Sequence, residues 1–313
     1  MITHAFVLGA GLGTRLRPLT EDLPKPLIPI FQKPLITFAL DHLIGVGVKS
    51  FVINTHHRPE PFRELFAESS YRECPVELVH EPEILGTGGG IKNAESLLPG
   101  DLFISYSGDI LTDVDLQSLL DEHGRARNDV TLALRETGFG KDVALEGSRV
   151  IDISNRYGHP GRYDFAGIAV WDKKIFERIP GGRHLSYIPV LAEWIGQGGR
   201  IGGVVLNERK WFNIGSRKEY LAVHQTISEE GWKPEYVDST SWPVPIAAGA
   251  EVDPTARLLG FNAIGDGCRV AAGATLENTI LWPGAQIASR ARLRNCIVRS
   301  QKQADGEFSD TDI

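Results

Sequence analysis

The chain is poor in cysteine, has no long apolar run and carries no excess of positive charge, and each lack removes a class of protein. Its cysteines, Cys74, Cys268 and Cys296, are too few and too scattered for a disulfide framework, and no pair has metal-ligand spacing. That usage fits a reducing compartment, so a cytoplasmic protein is expected. No stretch approaches the roughly 18 apolar residues of a membrane-spanning helix, and Met1–Leu8 lacks the basic and apolar segments of an export signal. Neither insertion nor export is therefore expected. With a net charge of −7 the chain offers no overall attraction to nucleic acid or to anionic lipid, so any anion site must be local.

What is present points to two domains. A chain of 313 residues exceeds what one core usually fills, and 42% hydrophobic with 23% charged residues is ordinary globular composition. From Ile2 to about Leu206, β-like runs alternate with helical patterns, as in an α/β domain built on a Rossmann-like mixed sheet. The clearest strands are Ala5–Leu8, Ser50–Asn54, Val76–His80, Leu102–Tyr106 and Val130–Leu134, and Pro34–Val46 reads as a helix. After Trp242 the register changes. Ile246, Val252, Leu258, Ile264, Val270, Leu276 and Trp282 recur every six positions, with compact residues such as Ala250, Ala256, Asn262, Cys268 and Ala274 two places before. This is a hexapeptide pattern, and it predicts a short left-handed parallel β-helix. The pattern slips by one after Trp282 and continues through Ile287 and Leu293. Asp238–Pro245 reads as a linker, which gives expected domains at 1–237 and 243–300 and a frayed polar tail at 301–313.

The segment Phe6-Val7-Leu8-Gly9-Ala10-Gly11-Leu12-Gly13-Thr14-Arg15-Leu16 begins as a strand and ends in a glycine-rich turn followed by an arginine. Backbone N–H groups freed of Cβ atoms can approach phosphate oxygens, and Arg15 can add charge-assisted hydrogen bonds. The turn lacks the Gly-Lys-Ser/Thr ending of a Walker A loop and misses the G-x-G-x-x-G spacing of dinucleotide binders. Further on, Leu102–Tyr106 runs into Ser107-Gly108-Asp109, which places a carboxylate at a strand end, where open α/β sheets hold their ligands.

The continuation Arg17-Pro18-Leu19-Thr20, Pro24-Lys25-Pro26-Leu27 and Lys33-Pro34-Leu35 makes Gly9–Leu35 resemble the signature of the sugar-nucleotide pyrophosphorylases, or sugar-1-phosphate nucleotidyltransferases. The resemblance spans the first two-thirds of the chain. It implies an enzyme that joins a nucleoside triphosphate to a sugar 1-phosphate. The triphosphate would be wrapped by Leu8, Gly9, Ala10, Gly11, Gly13 and Thr14, with Arg15 and Lys25 neutralising it. Glu81-Pro82-Glu83-Ile84-Leu85-Gly86-Thr87-Gly88-Gly89-Gly90 resembles the base-recognition segment, with Glu81 meeting the base edge and Gly86 and Thr87 beside it. A carboxylate accepts from the two adjacent donors of guanine better than from the single donor of uracil, so GTP is slightly favoured and UTP comes next. A strand-end surface role for Glu81 stays open. Phe165-Ala166-Gly167-Ile168 resembles the sugar-contacting strand, Gly167 leaving room for the ring. The metal expected from the resemblance is Mg²⁺, held by Asp109 and by the third position of Trp211-Phe212-Asn213-Ile214-Gly215.

Two departures stand out. Asn213 occupies the place of the family's aspartate, which keeps an oxygen ligand and removes a charge. No Glu-Lys-Pro lies between Val150 and Asp164, so the sugar phosphate is left to Arg156 or Arg162, each equally readable as a surface arginine. These departures motivate the rival reading, a regulatory or sensor protein that binds sugar nucleotide without turnover. The repeats contain no histidine, the last being His224, so an acyltransferase that uses a histidine base between coils is not expected there. Enzymes similar to mannose-1-phosphate guanylyltransferases carry such coils for oligomer contacts, which implies a homo-oligomer. The remaining partners expected are the two substrates, with neither nucleic acid nor membrane.

Overall fold

The computed structural model describes residues 2–138, 140–238, 240 and 242–313; Ser239 and Ser241 of the expected linker lie outside them. The chain forms two compact units, and they do not follow the linear division read from sequence. One comprises Met1–Leu12 with Ala39–Trp211, the other Gly13–Phe38 with Phe212–Ile313. Among the described residues no helix is long and apolar enough to cross a membrane.

The first unit is built on a ten-stranded mixed sheet. Its strand order is Val143–Glu146, Arg149–Ile153, Ile201–Val205, Val130–Arg135, Asp164–Asp172, Leu102–Ser107, His4–Leu8, Ser50–Thr55, Cys74–His80 and Ser70–Tyr71. The expected strands are all present, each within two residues of its boundaries. His4–Leu8 lies parallel between Ser50–Thr55 and Leu102–Ser107, and continuous apolar runs such as Phe6-Val7 and Phe51-Val52-Ile53 suit strands covered on both faces. Asp164–Asp172 runs antiparallel to both neighbours and makes the sheet mixed. Under the sheet, Trp171 stacks on Phe103 at 6.2 Å, and its indole N–H donates to Ser105 Oγ at 2.7 Å, which satisfies the one polar atom a buried tryptophan brings. Helix Leu116–Ala126 starts on Asp115, whose carboxylate accepts from the Ser118 amide at 3.1 Å; helix Tyr187–Gly196 starts in the same way on Ser186.

The second unit contains the short left-handed β-helix. Val252, Val270, Ile287 and Ala304 stand in register on one wall, and Leu258, Leu276, Leu293 and Phe308 on a second. The six-residue period therefore places its side chains in one apolar interior with Cys268, Ala274 and Cys296. On the third wall Ile264 pairs with Leu281, not with Trp282, because the second coil is one residue shorter at the corner where Asn278 faces Gly260 and Phe261. The slip thus precedes Trp282. Corners at Gly260, Asn278, Asn295 and Asp310 are all left-handed, and they are stitched together by Asn278 Nδ2 to Asn295 Oδ1 at 3.3 Å and Asn295 Nδ2 to Asp310 Oδ1 at 2.9 Å. Ile246 is 42% exposed, so the pattern's first member lies outside the interior. The segment read as a frayed tail also differs from expectation. Gln303–Ala304 and Glu307–Ser309 add rungs to two walls, because polar residues at outward positions leave Ala304 and Phe308 to face inward.

The glycine-turn segment packs within this same unit. Trp242 Nε1 donates to Ile30 O at 2.8 Å, Tyr220 OH to Pro29 O at 2.5 Å, and Gln32 Nε2 to Ile264 O at 3.0 Å. His224 is fully buried among Phe31, Tyr220 and Phe261; its Nε2 accepts from the Phe31 amide at 3.3 Å. Loss of water there pushes its pKa down to about 4, so the ring is neutral and structural.

Candidate functional site

The glycine turn divides its residues between support and surface. Gly9 donates its N–H to Asn54 Oδ1 at 2.8 Å, and a Cβ on Gly9 would lie 2.6 Å from Asn54 O. Its glycine is needed for close strand packing, and its amide is spent inside the protein rather than offered to a phosphate, contrary to the sequence expectation. Leu8 is paired in the sheet on both sides, its carbonyl also accepting from the Gly108 amide at 2.9 Å, and Ala10 is buried. Gly11 is exposed with open space around it. Gly13 is left-handed at φ 60°, and a Cβ there would lie 2.9 Å from Thr20 Cγ2 and 3.1 Å from Lys25 Cβ. Its carbonyl accepts from Thr20 Oγ1 at 2.9 Å. Thr14 and Arg15 follow in the exposed 3₁₀ turn Thr14–Leu16, anchored by buried Leu16.

Within the second unit Arg15 meets another segment singled out from sequence. A Cβ on Gly215 would lie 2.8 Å from Arg15 Nη2, so the guanidinium rests against the Trp211–Gly215 turn. Gly215 N and Ser216 Oγ both donate to Glu219 Oε2 at 2.9 Å, and Ser216 caps helix Arg217–Glu230. Lys25 is 6% exposed, which excludes an ordinary solvated surface charge. Asn213 lies half-buried on the short strand Trp211–Asn213.

In the first unit Asp109 is half-buried beyond the end of Leu102–Ser107, and its charge adds to burial in pushing the Tyr187 phenol upward. Among the described residues no three His, Cys, Asp or Glu side chains gather as a metal cage. Asp109 and Asn213 fall in different compact units. Gly167 sits at a sheet irregularity with φ 84°, where a Cβ would lie 2.9 Å from Ser107 Oγ, so its glycine is demanded by strand packing before any ligand is considered. Arg162 pairs with Glu136 at 2.8 Å, and Arg156 is exposed on a loop whose amides donate to buried Asp152.

Glu81 is neither a surface residue nor placed to read a base. It is 1% exposed; Oε1 accepts from Asn54 Nδ2 at 2.7 Å and Oε2 from the Leu85 amide at 2.9 Å. Asn54 thereby links the Gly9 turn to the Glu81–Leu85 turn, a bridge the sequence reading missed; its one signal was an amide at the end of an apolar strand. Gly86-Thr87-Gly88-Gly89-Gly90 opens helix Gly86–Asn93. Gly88 N and Gly89 N donate to Leu185 O at 2.8 and 3.1 Å, Tyr187 N donates to Thr87 Oγ1 at 3.2 Å, and a Cβ on Gly89 would lie 2.5 Å from Arg183 O. The Arg183–Tyr187 strap had no sequence signal.

Residues 4–230 match the nucleotidyl transferase family. Mannose-1-phosphate guanylyltransferase of Mycobacterium tuberculosis is 32% identical, with 92% of this chain and 82% of the relative covered. UTP–glucose-1-phosphate uridylyltransferase of Synechocystis is 24% identical, with 99% and 90% covered. D-glycero-alpha-D-manno-heptose 1-phosphate guanylyltransferase of Aneurinibacillus thermoaerophilus is 32% identical over 56% of this chain and 76% of its own. Among solved structures, the inositol-1-phosphate CTP transferase of T. maritima superposes with a TM-score of 0.61 at 20% identity, over 73% of this chain and 97% of that one, a likeness of fold.

Proposed function

The chain belongs to the nucleotidyl transferase family and is an enzyme of that type, and from that premise we propose that it joins a nucleoside triphosphate to a sugar 1-phosphate. The observation that carries the proposal is Arg15, an exposed guanidinium resting against Gly215 on a turn whose shape Gly13, Thr20 and buried Lys25 fix. In the reaction an oxygen of the sugar phosphate bonds to the α-phosphorus. The bond from that phosphorus to the bridging oxygen breaks, and its electron pair leaves with pyrophosphate. No covalent enzyme intermediate is required. Arg15 and Lys25 stabilise the charge that grows on the phosphates, a contact of this kind being worth about 2–4 kcal/mol.

The exposed part of the turn, Gly11 with Thr14, is where we place the phosphates, with the base near Gly86 and Thr87 and the sugar near Gly167, its phosphate met by Arg156 or Arg162. Asp109 and Asn213 remain the residues proposed for Mg²⁺, the first as an anionic oxygen and the second as a neutral one; Mg²⁺ accepts few protein donors when phosphates and water complete its shell. When bound, the ion would neutralise phosphate charge.

Guanine remains our first choice of base and uracil the second. Glu81 no longer contributes to that choice; it rests on the guanylyltransferase names of two relatives against one uridylyltransferase. A matrix of four triphosphates against mannose, heptose, glucose and amino-sugar 1-phosphates, read by pyrophosphate release, tests the proposal. Release should be greatest in the GTP row, and binding without release in every cell would replace catalysis by a sensor role. We assign the β-helix to homo-oligomer contacts, supported by the exposed apolar side chains of Ile246 and Leu259. A monomer in sedimentation at micromolar concentration would remove that assignment.

A further inference from the structure

We infer that Arg299, in the last part of the β-helix, is a positioning residue for the turn that carries Arg15 and Lys25. Its backbone is fixed on both sides: Val298, buried in the coil interior, pairs with Leu281, and Arg299 N donates to Ile313 O at 2.8 Å. Its side chain, 15% exposed, reaches out of the coil to the short helix Leu19–Asp22. Nη1 donates to Asp22 Oδ2 at 2.8 Å and to Pro18 O at 3.3 Å and lies 3.6 Å from Glu21 Oε2.

That helix sets the shape of the glycine turn. Thr20, inside it, donates to Gly13 O at 2.9 Å, and its methyl group would meet any Cβ on Gly13 at 2.9 Å. The path from coil to cation is therefore Arg299, the helix Leu19–Asp22 with Pro18 before it, Gly13 and Thr14, then Arg15. A single exposed ion pair would carry little. Here one half-buried planar guanidinium engages two carboxylates of the same short helix and the carbonyl of the residue before it, a geometry that a lysine ammonium reproduces only in part. A helix of one turn has no cooperative stability of its own, so its position is decided by such outside contacts.

The kinetic half of this inference rests on the proposed function; the structural half does not. The experiment compares the full chain with Arg299→Ala, Arg299→Lys, Asp22→Asn and the Asp22→Asn/Arg299→Ala pair, by hydrogen exchange and by pyrophosphate release. In Arg299→Ala the amides of residues 13–22 should exchange about tenfold faster, while those of 102–107 and 275–281 stay unchanged. At saturating triphosphate, kcat should fall about tenfold with KM changed less than twofold, as expected when a bound group is misplaced rather than lost. Arg299→Lys should recover part of both, and the pair should be no worse than Arg299→Ala alone. Should Arg299→Ala loosen 275–281 as well, Asp22→Asn decides, since it removes the charged partner without touching the coil. Unchanged exchange over 13–22 in both Arg299→Ala and Asp22→Asn overturns the inference whatever the activity. If the wild type releases no pyrophosphate, the exchange result still stands and only the function falls.

Discussion

Gly9–Gly13 and Gly86–Gly90 are both glycine-rich, and the sequence resemblance assigns both to the nucleotide, yet the structure uses them differently. In the second segment a Cβ on Gly86, Gly88 or Gly89 would meet the Arg183–Tyr187 strap, and one on Gly90 would meet the Asn54–Glu81 pair at 2.8 Å. Its glycines are there because backbone and buried polar groups leave no volume for a side chain. In the first segment Gly9 is likewise packed, but Gly11 faces open space without a positive φ. A glycine with no packing reason in the same turn as an exposed arginine is a better marker of ligand approach than a run of glycines whose neighbours are protein.

The strongest way to break this comparison is to remove the cations. Arg15→Ala should lower kcat by about 10²–10³, because an aimed charge-assisted contact to a developing anion is lost. Its melting temperature should stay within a degree or two, the side chain being exposed. Lys25→Ala should lower kcat as far, but it should also cost stability, since the lysine stem is buried. Wild-type turnover in both variants would detach the glycine turn from the chemistry.

Next comes the contrast within glycine itself. Gly89→Ala forces a Cβ to within 2.5 Å of Arg183 O, so urea denaturation should show a loss of about 2–4 kcal/mol. Gly11→Ala should leave stability unchanged or raise it by about 0.4–1 kcal/mol, yet weaken triphosphate binding. Equal stability losses in the two variants would erase the distinction drawn between the segments.

Glu81→Gln should cost about 1–3 kcal/mol, because an amide cannot accept from both Asn54 Nδ2 and the Leu85 amide as the carboxylate does. The ratio of GTP to UTP turnover should stay within about twofold. A switch in base preference would return Glu81 to the base edge. The remaining effect, on the metal requirement alone, is that of Asn213→Asp. An added carboxylate should lower the Mg²⁺ concentration for half-maximal rate about tenfold, some 1.4 kcal/mol. A higher metal requirement would remove Asn213 from the metal site.

The sequence by itself determined the periodic features: the buried strands around His4–Leu8, the helix Leu35–Gly45 and the coils of the β-helix. These are legible because side-chain burial repeats along the chain at fixed spacing, so local pattern and final environment agree. It also supplied the signature residues on which the family resemblance rests. Only the tertiary structure decided which of them face out. Gly9 and Glu81 turned inward because Asn54, about 45 residues from one and 27 from the other, pairs with both, and no spacing rule reaches that far. Gly167 answers to Ser107, and the rungs from Gln303 to Ser309 answer to coils already stacked beneath them. Most of all, residues 13–38 are grouped with the β-helix although some two hundred residues separate them, since the contacts of Trp242, Tyr220, Gln32 and Arg299 are long-range hydrogen bonds. A hydrogen bond between distant residues leaves no periodic trace in either partner's neighbourhood, and so the division of this chain into units could be settled only once it was folded.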